Sequence, residues 1–305
     1  MTGSLTNKPP LAVWIAAMLV AIAMLLGLGN LHRTAWLTAS VDRAVGYNLQ
    51  RLQAIPPDAL HVVALGSSKT MYAVEFDSAF ASRLVVPGRR VVFHRVTAGG
   101  PGLGDLQPAL AAIARRPPDV LLVEGELLIF DRGKQGQVAA VLKHARQNLI
   151  LLRTQLAIVP ARREIDNNQG REEWALESRC RQSQTRDALA TYAMYAARWR
   201  VITDAERSTD LAYIRRMQAA GTRVVLFTVP RSPSGDSVVP ANLKREAALL
   251  RERLIKQDGF LGWEPGAMDE SLYCDQLHVN HRGRAFYSAW LAKQLAALLR
   301  VHSGV

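Results

Sequence analysis

Cysteine is scarce in this sequence, with two residues, Cys180 and Cys274, in a chain of 305. Structural metal sites of the common type need about four Cys or His ligands at short spacings, and the chain has no cluster of that kind. We therefore predict no metal site in this protein.

The motifs that bind nucleotide cofactors are also missing. The segment Gly66–Thr70 (GSSKT) ends like a phosphate-binding loop, but it lacks the G-x-x-x-x-G-K spacing. Gly100, Gly102 and Gly104 lack the dinucleotide spacing and follow the second predicted strand, a position more typical of a tight turn. A Ser-x-x-Lys motif is absent as well. The prediction is a protein without a cofactor.

Lysine is rare beside arginine, although the formal net charge is +12. The basic residues form no dense run, and no basic-aromatic RNA motif is present, so nucleic acid is not a predicted partner. The charge has two remaining interpretations. It is either a compositional bias toward arginine on solvated helix faces, or a surface for anionic lipid headgroups or an acidic polysaccharide.

A long apolar run is the first positive feature. Residues 11–31 carry no charge, and a helix of that length spans roughly 30 Å, enough to cross a membrane. The alternative is a cleaved signal peptide, but its apolar region is usually about 7–15 residues long. We predict a retained signal anchor after a short tail of residues 1–10. Basic residues flank both sides of the span, so the positive-inside rule does not decide its orientation.

A juxtamembrane linker over 32–58 leads into an α/β pattern over 59–301. Short apolar runs suited to buried strands alternate with predicted helices. The predicted strands are His61–Leu65, Val91–Val96, Val120–Val123, Gly221–Val229 and a short one over 259–263. The predicted helices include Asp105–Arg115, residues 241–257 and a closing helix from about Arg282 to Val301. This pattern predicts a three-layer α/β/α sandwich with a mostly parallel, flavodoxin-like sheet.

Residues 131–220 interrupt the pattern and are predicted to form a helical insertion or cap, because about 90 residues exceed an ordinary crossover. Within it Tyr192, Tyr195 and Trp199 recur at helical spacing. The stripe either packs on the main core or faces a substrate.

Polar residues gather at the predicted carboxyl ends of the strands, where parallel sheets bind ligands. Ser68 follows the first strand, and Glu124 and Glu126 follow the third. Near the other end of the chain, Asp275 and His278 are separated by two residues. A serine needs an adjacent base that a third group holds in place, so we predict Ser68 as nucleophile, His278 as base and Asp275 as its orienting acid. The helix after Ser68 can direct backbone N–H groups at a developing oxyanion.

Each residue has a structural alternative. Ser68 could be a turn or N-cap residue, and Asp275 with His278 could be a capping pair for the last helix. Glu124 and Glu126 could be solvated loop carboxylates. His281 is a rival base.

The combination of Gly66-Ser67-Ser68 with Asp275-x-x-His278-x-Asn280-x-x-Gly283 resembles the SGNH (GDSL-like) hydrolase superfamily. The resemblance covers roughly residues 60–300 apart from the insertion. It implies that Ser68, Asp275 and His278 form the catalytic triad. A glycine after strand two, Gly99 or Gly100, would then join Ser68 in the oxyanion hole.

Two positions depart from that family pattern. Ser67 stands where the family has aspartate, and Glu124-Gly125-Glu126 replaces Gly-x-Asn-Asp, which removes the asparagine donor of the oxyanion hole. The Glu-x-Glu sequence and the apolar span resemble envelope proteins that O-acetylate exopolysaccharides. That resemblance implies a single-pass protein of the bacterial inner membrane with its main domain in the periplasm, where other polysaccharide-synthesis proteins would be partners. In that compartment Cys180 and Cys274 could form a disulfide, and two buried free thiols are the alternative.

The predicted activity is hydrolysis or transfer of a small acyl group, acetyl, on an envelope carbohydrate, through a serine ester. Sequence does not distinguish water from a sugar hydroxyl as the group that attacks that ester. A lipid or thioester hydrolase with the same triad is one alternative. A non-catalytic carbohydrate-binding or scaffold protein is another, favoured by the missing asparagine and disfavoured by the intact Asp275 and His278.

Overall fold

The computed structural model describes residues 11, 13–15, 17–22, 24, 56, 58–97, 106–131, 180 and 187–300. The chain divides into two units, one comprising Met1–Ser40 with Lys134–Arg162, the other Val41–Gly133 with Arg163–Val305. In the first unit the described residues between 11 and 24 are helical. Among described residues, no helix has both the length and the apolar character that crossing a membrane requires. Residues 25–31 of the predicted span lie outside the described residues.

The second unit alternates strands and helices as the sequence pattern predicts. In chain order its elements are β1 (Leu60–Gly66), α1 (Ser68–Ala73), α2 (Asp77–Ser82), β2 (Val91–Thr97), α3 (Gln107–Ile113), β3 (Val120–Glu124), α4 (Gly125–Ile129), β4 (Phe130–Asp131), α5 (Asp187–Ala196), β5 (Arg200–Val201), α6 (Asp204–Ala219), β6 (Arg223–Phe227), α7 (Pro233–Ser237), α8 (Ala241–Asp258), β7 (Leu261–Trp263), a 3₁₀ helix (Glu270–Leu272) and α9 (His281–Arg300).

The main sheet has five strands in the order β2-β1-β3-β6-β7, and every pairing is parallel. Renumbered by sequence, this is the 2-1-3-4-5 order of flavodoxin-like sheets. The chain leaves β1 toward β2 on one side and returns to β3 on the other. The carboxyl ends of β1 and β3 therefore flank the point where such folds bind ligands.

Alternating side chains of each strand enter two cores, one on each face of the sheet. In β1, Val63 and Leu65 face the core covered by α3, α6 and α8. Val62 and Ala64 face the core covered by α1, α2 and α9. A parallel sheet buried on both faces explains why its strands are almost continuously apolar. The predicted α/β sandwich with a parallel sheet is confirmed.

Local signals fix the ends of the covering helices. The α6 helix begins with a capping box, in which the Thr203 side chain accepts from Glu206 N–H and the Glu206 side chain accepts from Thr203 N–H. The α8 helix ends at Gly259, whose φ of 68° lies in the left-handed region that glycine adopts without strain. These caps determine where α6 begins and where α8 ends.

Some elements differ from the sequence prediction. The α6 helix falls within the predicted insertion over 131–220, yet its residues Leu211, Ile214 and Met217 pack in the sheet-covering core. The strands β4 and β5 form a small antiparallel sheet that the sequence did not predict, because two residues show no periodicity. The five-residue α7 helix lies between β6 and α8, where the sequence analysis predicts no helix.

Candidate active site

Ser68 is the first residue of α1, directly beyond the carboxyl end of β1. Ser67 is the N-cap, with its Oγ accepting from Lys69 N–H at 3.2 Å. Ser68 therefore does not cap the helix. Its Oγ lies 3.0 Å from His278 Nε2. Within the part of the chain that the structure describes, no acceptor binds the Ser68 amide N–H. The alternative that Ser68 is the cap residue is wrong.

The Asp275–His278 turn presents an imidazole to Ser68. His278 Nδ1 lies 2.9 Å from both carboxylate oxygens of Asp275. The Oδ1 atom of Asp275 also accepts the N–H groups of Leu277 at 2.8 Å and His278 at 2.7 Å. With Nδ1–H donated to Asp275, Nε2 is the acceptor for the Ser68 hydroxyl. The structure thus brings together the three residues predicted from the sequence.

Burial would raise the pKa of Asp275, but His278 and the N–H groups of Leu277 and His278 lower it to about 2. Asp275 is consequently a carboxylate at any neutral pH. A fixed negative charge on this side of the ring holds the tautomer and stabilises an imidazolium, as a triad acid does.

The low pKa of Asp275 predicts a pH dependence of stability. Since the folded pKa is about 2 and the reference value is 3.8, the carboxylate contributes about 2 kcal/mol that is present above pH 4. This contribution is lost as the pH falls from 4 toward 2. Urea unfolding between pH 2 and 5 should show a shallower pH slope for Asp275→Asn than for wild type. Equal pH slopes for wild type and Asp275→Asn would contradict the low pKa assigned to Asp275.

Asn280 and Gly283 complete the motif by starting α9. The Asn280 side-chain oxygen accepts from the N–H groups of Arg282 at 3.0 Å and Gly283 at 3.1 Å. Asn280, rather than Asp275 and His278, therefore caps the helix, so the capping-pair alternative is wrong. His281 is exposed at the first position of α9, while the imidazole in contact with Ser68 belongs to His278.

Gly283 is predicted to be intolerant of any side chain. A Cβ on Gly283 would overlap the backbone carbonyl oxygen of Leu272 and come within 2.8 Å of Val279 Cβ. Because the Leu272 backbone can move aside only at a cost in free energy, Gly283→Ala should lower the free energy of unfolding by roughly 1–3 kcal/mol. Gly266→Ala is the matched control, since nothing lies within 4 Å of its added Cβ. Equal free energies of unfolding for Gly283→Ala and Gly266→Ala, measured in urea, would contradict the prediction.

Glu124 lies beneath the β1–α1 turn and has no exposed surface. Its Oε2 accepts Ser67 N–H at 2.7 Å and the Thr70 hydroxyl at 2.7 Å, and its Oε1 accepts the Ser67 hydroxyl at 2.8 Å. The alternative of a solvated loop carboxylate is wrong for this residue. Its carboxylate accepts hydrogen bonds from the turn that carries Ser68.

Glu126 is also buried, at the centre of a second charged cluster. Its Oε1 lies 2.9 Å from Lys69 Nζ and 2.6 Å from Arg231 Nη2. The Arg231 guanidinium lies over the rings of Trp199 and Phe130, 4.9 Å and 5.6 Å from their centroids. Burial lowers the pKa of Lys69, and Arg231 lowers it further, while Glu126 and Glu124 oppose this. The cluster ties α1 and α4 to the loop after β6.

The carboxyl end of α1 is held as firmly as its start. Arg95 Nη1 donates to the carbonyl oxygens of Met71 at 2.7 Å and Val74 at 2.5 Å. From α9, Arg284 Nε donates to Tyr72 O at 3.0 Å and Ser288 Oγ donates to Ala73 O at 3.2 Å. A six-residue helix has little stability of its own. These contacts explain how it positions Ser68.

The structure joins Cys180 and Cys274 by a disulfide, with Cα atoms 4.5 Å apart. Cys274 N–H donates to His278 O at 2.8 Å, so the disulfide anchors the segment that closes the Asp275–His278 turn. The predicted oxyanion glycines, Gly99 and Gly100, lie outside the described residues.

The disulfide is open to direct measurement. Closing a separation of 94 residues contributes roughly 4–5 kcal/mol in the chain-entropy account. Mass mapping of full-length protein prepared without reductant should find the Cys180 and Cys274 peptides linked. Dithiothreitol should lower the melting temperature of wild type and leave Cys180→Ser/Cys274→Ser unchanged. Two alkylatable thiols in unreduced material would contradict the bond.

The aromatic stripe divides between core and surface. Tyr192 and Trp199 are buried and pack edge to face, with ring centroids 5.8 Å apart. Tyr195 is 44% exposed. The core interpretation is therefore confirmed for Tyr192 and Trp199.

Sequence reasoning missed several residues that build this site: Ser67, Lys69, Thr70, Tyr72 and Arg231. The Tyr72 ring packs edge-on against the His278 imidazole, with centroids 5.0 Å apart. The available signal was a Lys directly after Ser68, just beyond the predicted buried strand His61–Leu65. Buried lysines are almost always paired, which points to a nearby carboxylate.

No group of three or more metal-ligating side chains occurs among the described residues. Comparison with known proteins adds little to the geometry. No family model matches the chain, and no curated protein sequence matches it significantly.

Two of the solved structures that the chain is similar to are esterases by their descriptions. One is a candidate arylesterase from Agrobacterium tumefaciens str. C58, with 12% identity and a TM-score of 0.37, covering 79% of this chain and 98% of the other. The second is a carbohydrate esterase with divergent catalytic and non-catalytic binding functions at its active site. It has 11% identity and a TM-score of 0.32, covering 79% of this chain and 70% of the other. At TM-scores below 0.5 neither likeness carries weight for function, which is argued from the site.

Proposed function

We propose that this protein is a serine-dependent esterase or O-acyltransferase that acts on a small acyl ester, acetyl, of an envelope carbohydrate. One observation carries the proposal. Ser68 Oγ, His278 Nε2, His278 Nδ1 and the Asp275 carboxylate form an unbroken hydrogen-bonded line, with spacings of 3.0 Å and 2.9 Å. This is the arrangement that activates a serine.

The proposed reaction has two halves. Ser68 Oγ attacks the acyl carbonyl carbon while His278 Nε2 takes the hydroxyl proton, and Asp275 stabilises the imidazolium. His278 then returns the proton to the departing alkoxide, leaving the acyl group on Ser68. Water or a sugar hydroxyl gives its proton to His278 and attacks the ester, which yields free acid or acylated sugar and restores Ser68.

The Ser68 N–H, which no described acceptor binds, is the proposed oxyanion donor, with Gly99 or Gly100 as a further one. No asparagine stands at the end of β3, where Glu124 and Glu126 lie instead. Loss of one such donor raises the barrier by about 2.7–4 kcal/mol. A slow enzyme is therefore expected unless another group supplies the hydrogen bond.

The sheet order and the Ser68, Asp275 and His278 geometry support placing the chain in the SGNH hydrolase superfamily. We also propose a membrane-anchored protein of the exopolysaccharide O-acetylation type, held in the inner membrane by residues 11–31 with its main domain in the periplasm. Two features support this location: the uncharged 21-residue run, and a disulfide, which persists in oxidising compartments. Other polysaccharide-synthesis proteins are proposed partners.

A second candidate is a non-catalytic carbohydrate-binding or scaffold module. The observation in its favour is that the two carboxylates at the carboxyl end of β3, Glu124 and Glu126, are engaged in structural contacts and supply no hydrogen-bond donor for an oxyanion.

Turnover of p-nitrophenyl acetate by the full-length chain tests the proposal, with and without an oligosaccharide acceptor. Wild type should release p-nitrophenolate, Ser68→Ala should not, and Ser82→Ala, an exposed serine on α2, should match wild type. Acetylated oligosaccharide would identify a transferase, and free acetate alone a hydrolase. A folded wild type that shows neither product would reject the enzyme proposal in favour of the binding module.

A further inference from the structure

We infer that Glu124 is a positioning residue that sets the rotamer and backbone orientation of Ser68 through hydrogen bonds on both sides of it. The inference rests on the proposed function, in which Ser68 is the reacting group. It concerns a carboxylate at the position where the SGNH pattern has a different sequence and a different role.

The first support is the number and placement of the donors. Glu124 accepts the backbone N–H and the hydroxyl of Ser67, one residue before Ser68, and the hydroxyl of Thr70, two residues after it. All three bonds measure 2.7–2.8 Å. Hydrogen bonds to a charged acceptor are about twice as strong as neutral ones. The turn is therefore clamped at both ends by one group.

The second support is the rigidity of the group itself. Glu124 is the last residue of β3 and pairs with Phe227 of β6 at the centre of the sheet. Its side chain is fully buried. Thr70 packs directly against the backbone of Gly66, where an added Cβ would overlap the Thr70 side chain. The clamp thus joins the nucleophile turn to the central strand of the sheet.

The charge on Glu124 decides how it acts. A carboxylate beneath the turn would oppose negative charge developing near Ser68 N–H, so it does not stabilise an oxyanion electrostatically. Its contribution must come from geometry. Lys69, which interacts with both Glu124 and Glu126, offsets part of the charge. A neutral acceptor of the same shape should therefore preserve most of the function.

Two substitutions at Glu124 should give different results. Glu124→Ala removes the acceptor, and a displacement of about 1 Å at the nucleophile lowers the rate by roughly 10²-fold. The expected loss lies in kcat, with KM for p-nitrophenyl acetate within about 3-fold of wild type. Glu124→Gln keeps a carbonyl acceptor and should retain kcat within about 10-fold. Asp210→Asn, at a buried carboxyl on α6, controls for loss of stability and should leave kcat unchanged.

A second readout does not depend on turnover. The ¹⁵N chemical shift of His278 Nε2 reports the hydrogen bond from Ser68, so Ser68→Ala should move it. Glu124→Ala should reproduce that movement, and Glu124→Gln should not. An unchanged shift in Glu124→Ala would overturn the inference whether or not the enzyme turns over. Absence of wild-type turnover with the shifts as expected would reject the proposed function and leave Glu124 as the residue that positions Ser68.

Discussion

Replacing His278 with alanine is expected to lower kcat for p-nitrophenyl acetate by roughly four orders of magnitude or more. His278 Nε2 is 3.0 Å from Ser68 Oγ and is the base that makes the hydroxyl a nucleophile. Without it Ser68 must lose its proton to water, at a pH far below its own pKa. Initial rates at saturating substrate, with protein folding checked by circular dichroism, measure the effect.

His281→Ala is the matched control for this prediction. His281 lies three residues away in the same motif but is exposed at the start of α9. Its substitution should leave kcat within about 2-fold of wild type. A large loss of kcat in His281→Ala, with a small loss of kcat in His278→Ala, would show that His281 is the base. That result would contradict the proposed site.

Replacing Glu126 with alanine is expected to lower the free energy of unfolding by about 3–5 kcal/mol. Glu126 separates two cations, Lys69 and Arg231, whose side chains are 0% and 9% exposed. Removing the carboxylate leaves both charges buried, with no shared counter-ion between them. Urea unfolding followed by circular dichroism, with linear extrapolation to zero denaturant, gives the difference.

Glu252→Ala provides the comparison on the surface. Glu252 makes an i, i+4 ion pair with Lys256 at 2.5 Å, and both side chains are more than half exposed. Such a pair contributes little to stability, because solvent screens the attraction and holding two long side chains in one geometry costs conformational entropy. Similar small losses for Glu126→Ala and Glu252→Ala would show that the buried cluster does not stabilise the fold.

Much of the fold could be predicted from the sequence because its signals are local. Apolar runs such as Val120–Val123 have the length and flanks of buried parallel strands, and the structure extends this one by a residue to Glu124. The motif from Asp275 to Gly283 places an orienting acid, a base, a helix cap and a close-approach glycine within nine residues. Each of these roles depends on neighbours in sequence.

The buried charges could not be predicted in the same way. Glu124 and Glu126 follow a strand, and the sequence pattern there is equally typical of an exposed loop. These carboxylates are buried because segments distant in sequence pack against them, with Lys69 on α1 and Arg231 in the loop after β6. Those contacts depend on the strand order, which periodicity does not specify. The antiparallel pairing of β4 with β5 was missed because each of these strands has two residues, too few to show a periodicity.

The two positions that differ from the SGNH pattern, which the sequence resembles, have a structural explanation. Ser67 is fully buried, and its hydroxyl donates to Glu124 while accepting from Lys69 N–H. A serine and a glutamate at these positions therefore form one unit, since an aspartate in place of Ser67 would face Glu124 with like charge.

Identification of the residue modified by a fluorophosphonate tests the central claim most directly. Full-length wild type should form one adduct, and peptide mapping by mass spectrometry should place it on Ser68 Oγ. Ser68→Ala should remain unlabelled, and His278→Ala should label far more slowly. An adduct on another residue, or labelling that persists in Ser68→Ala, would contradict the assignment of Ser68 as the nucleophile.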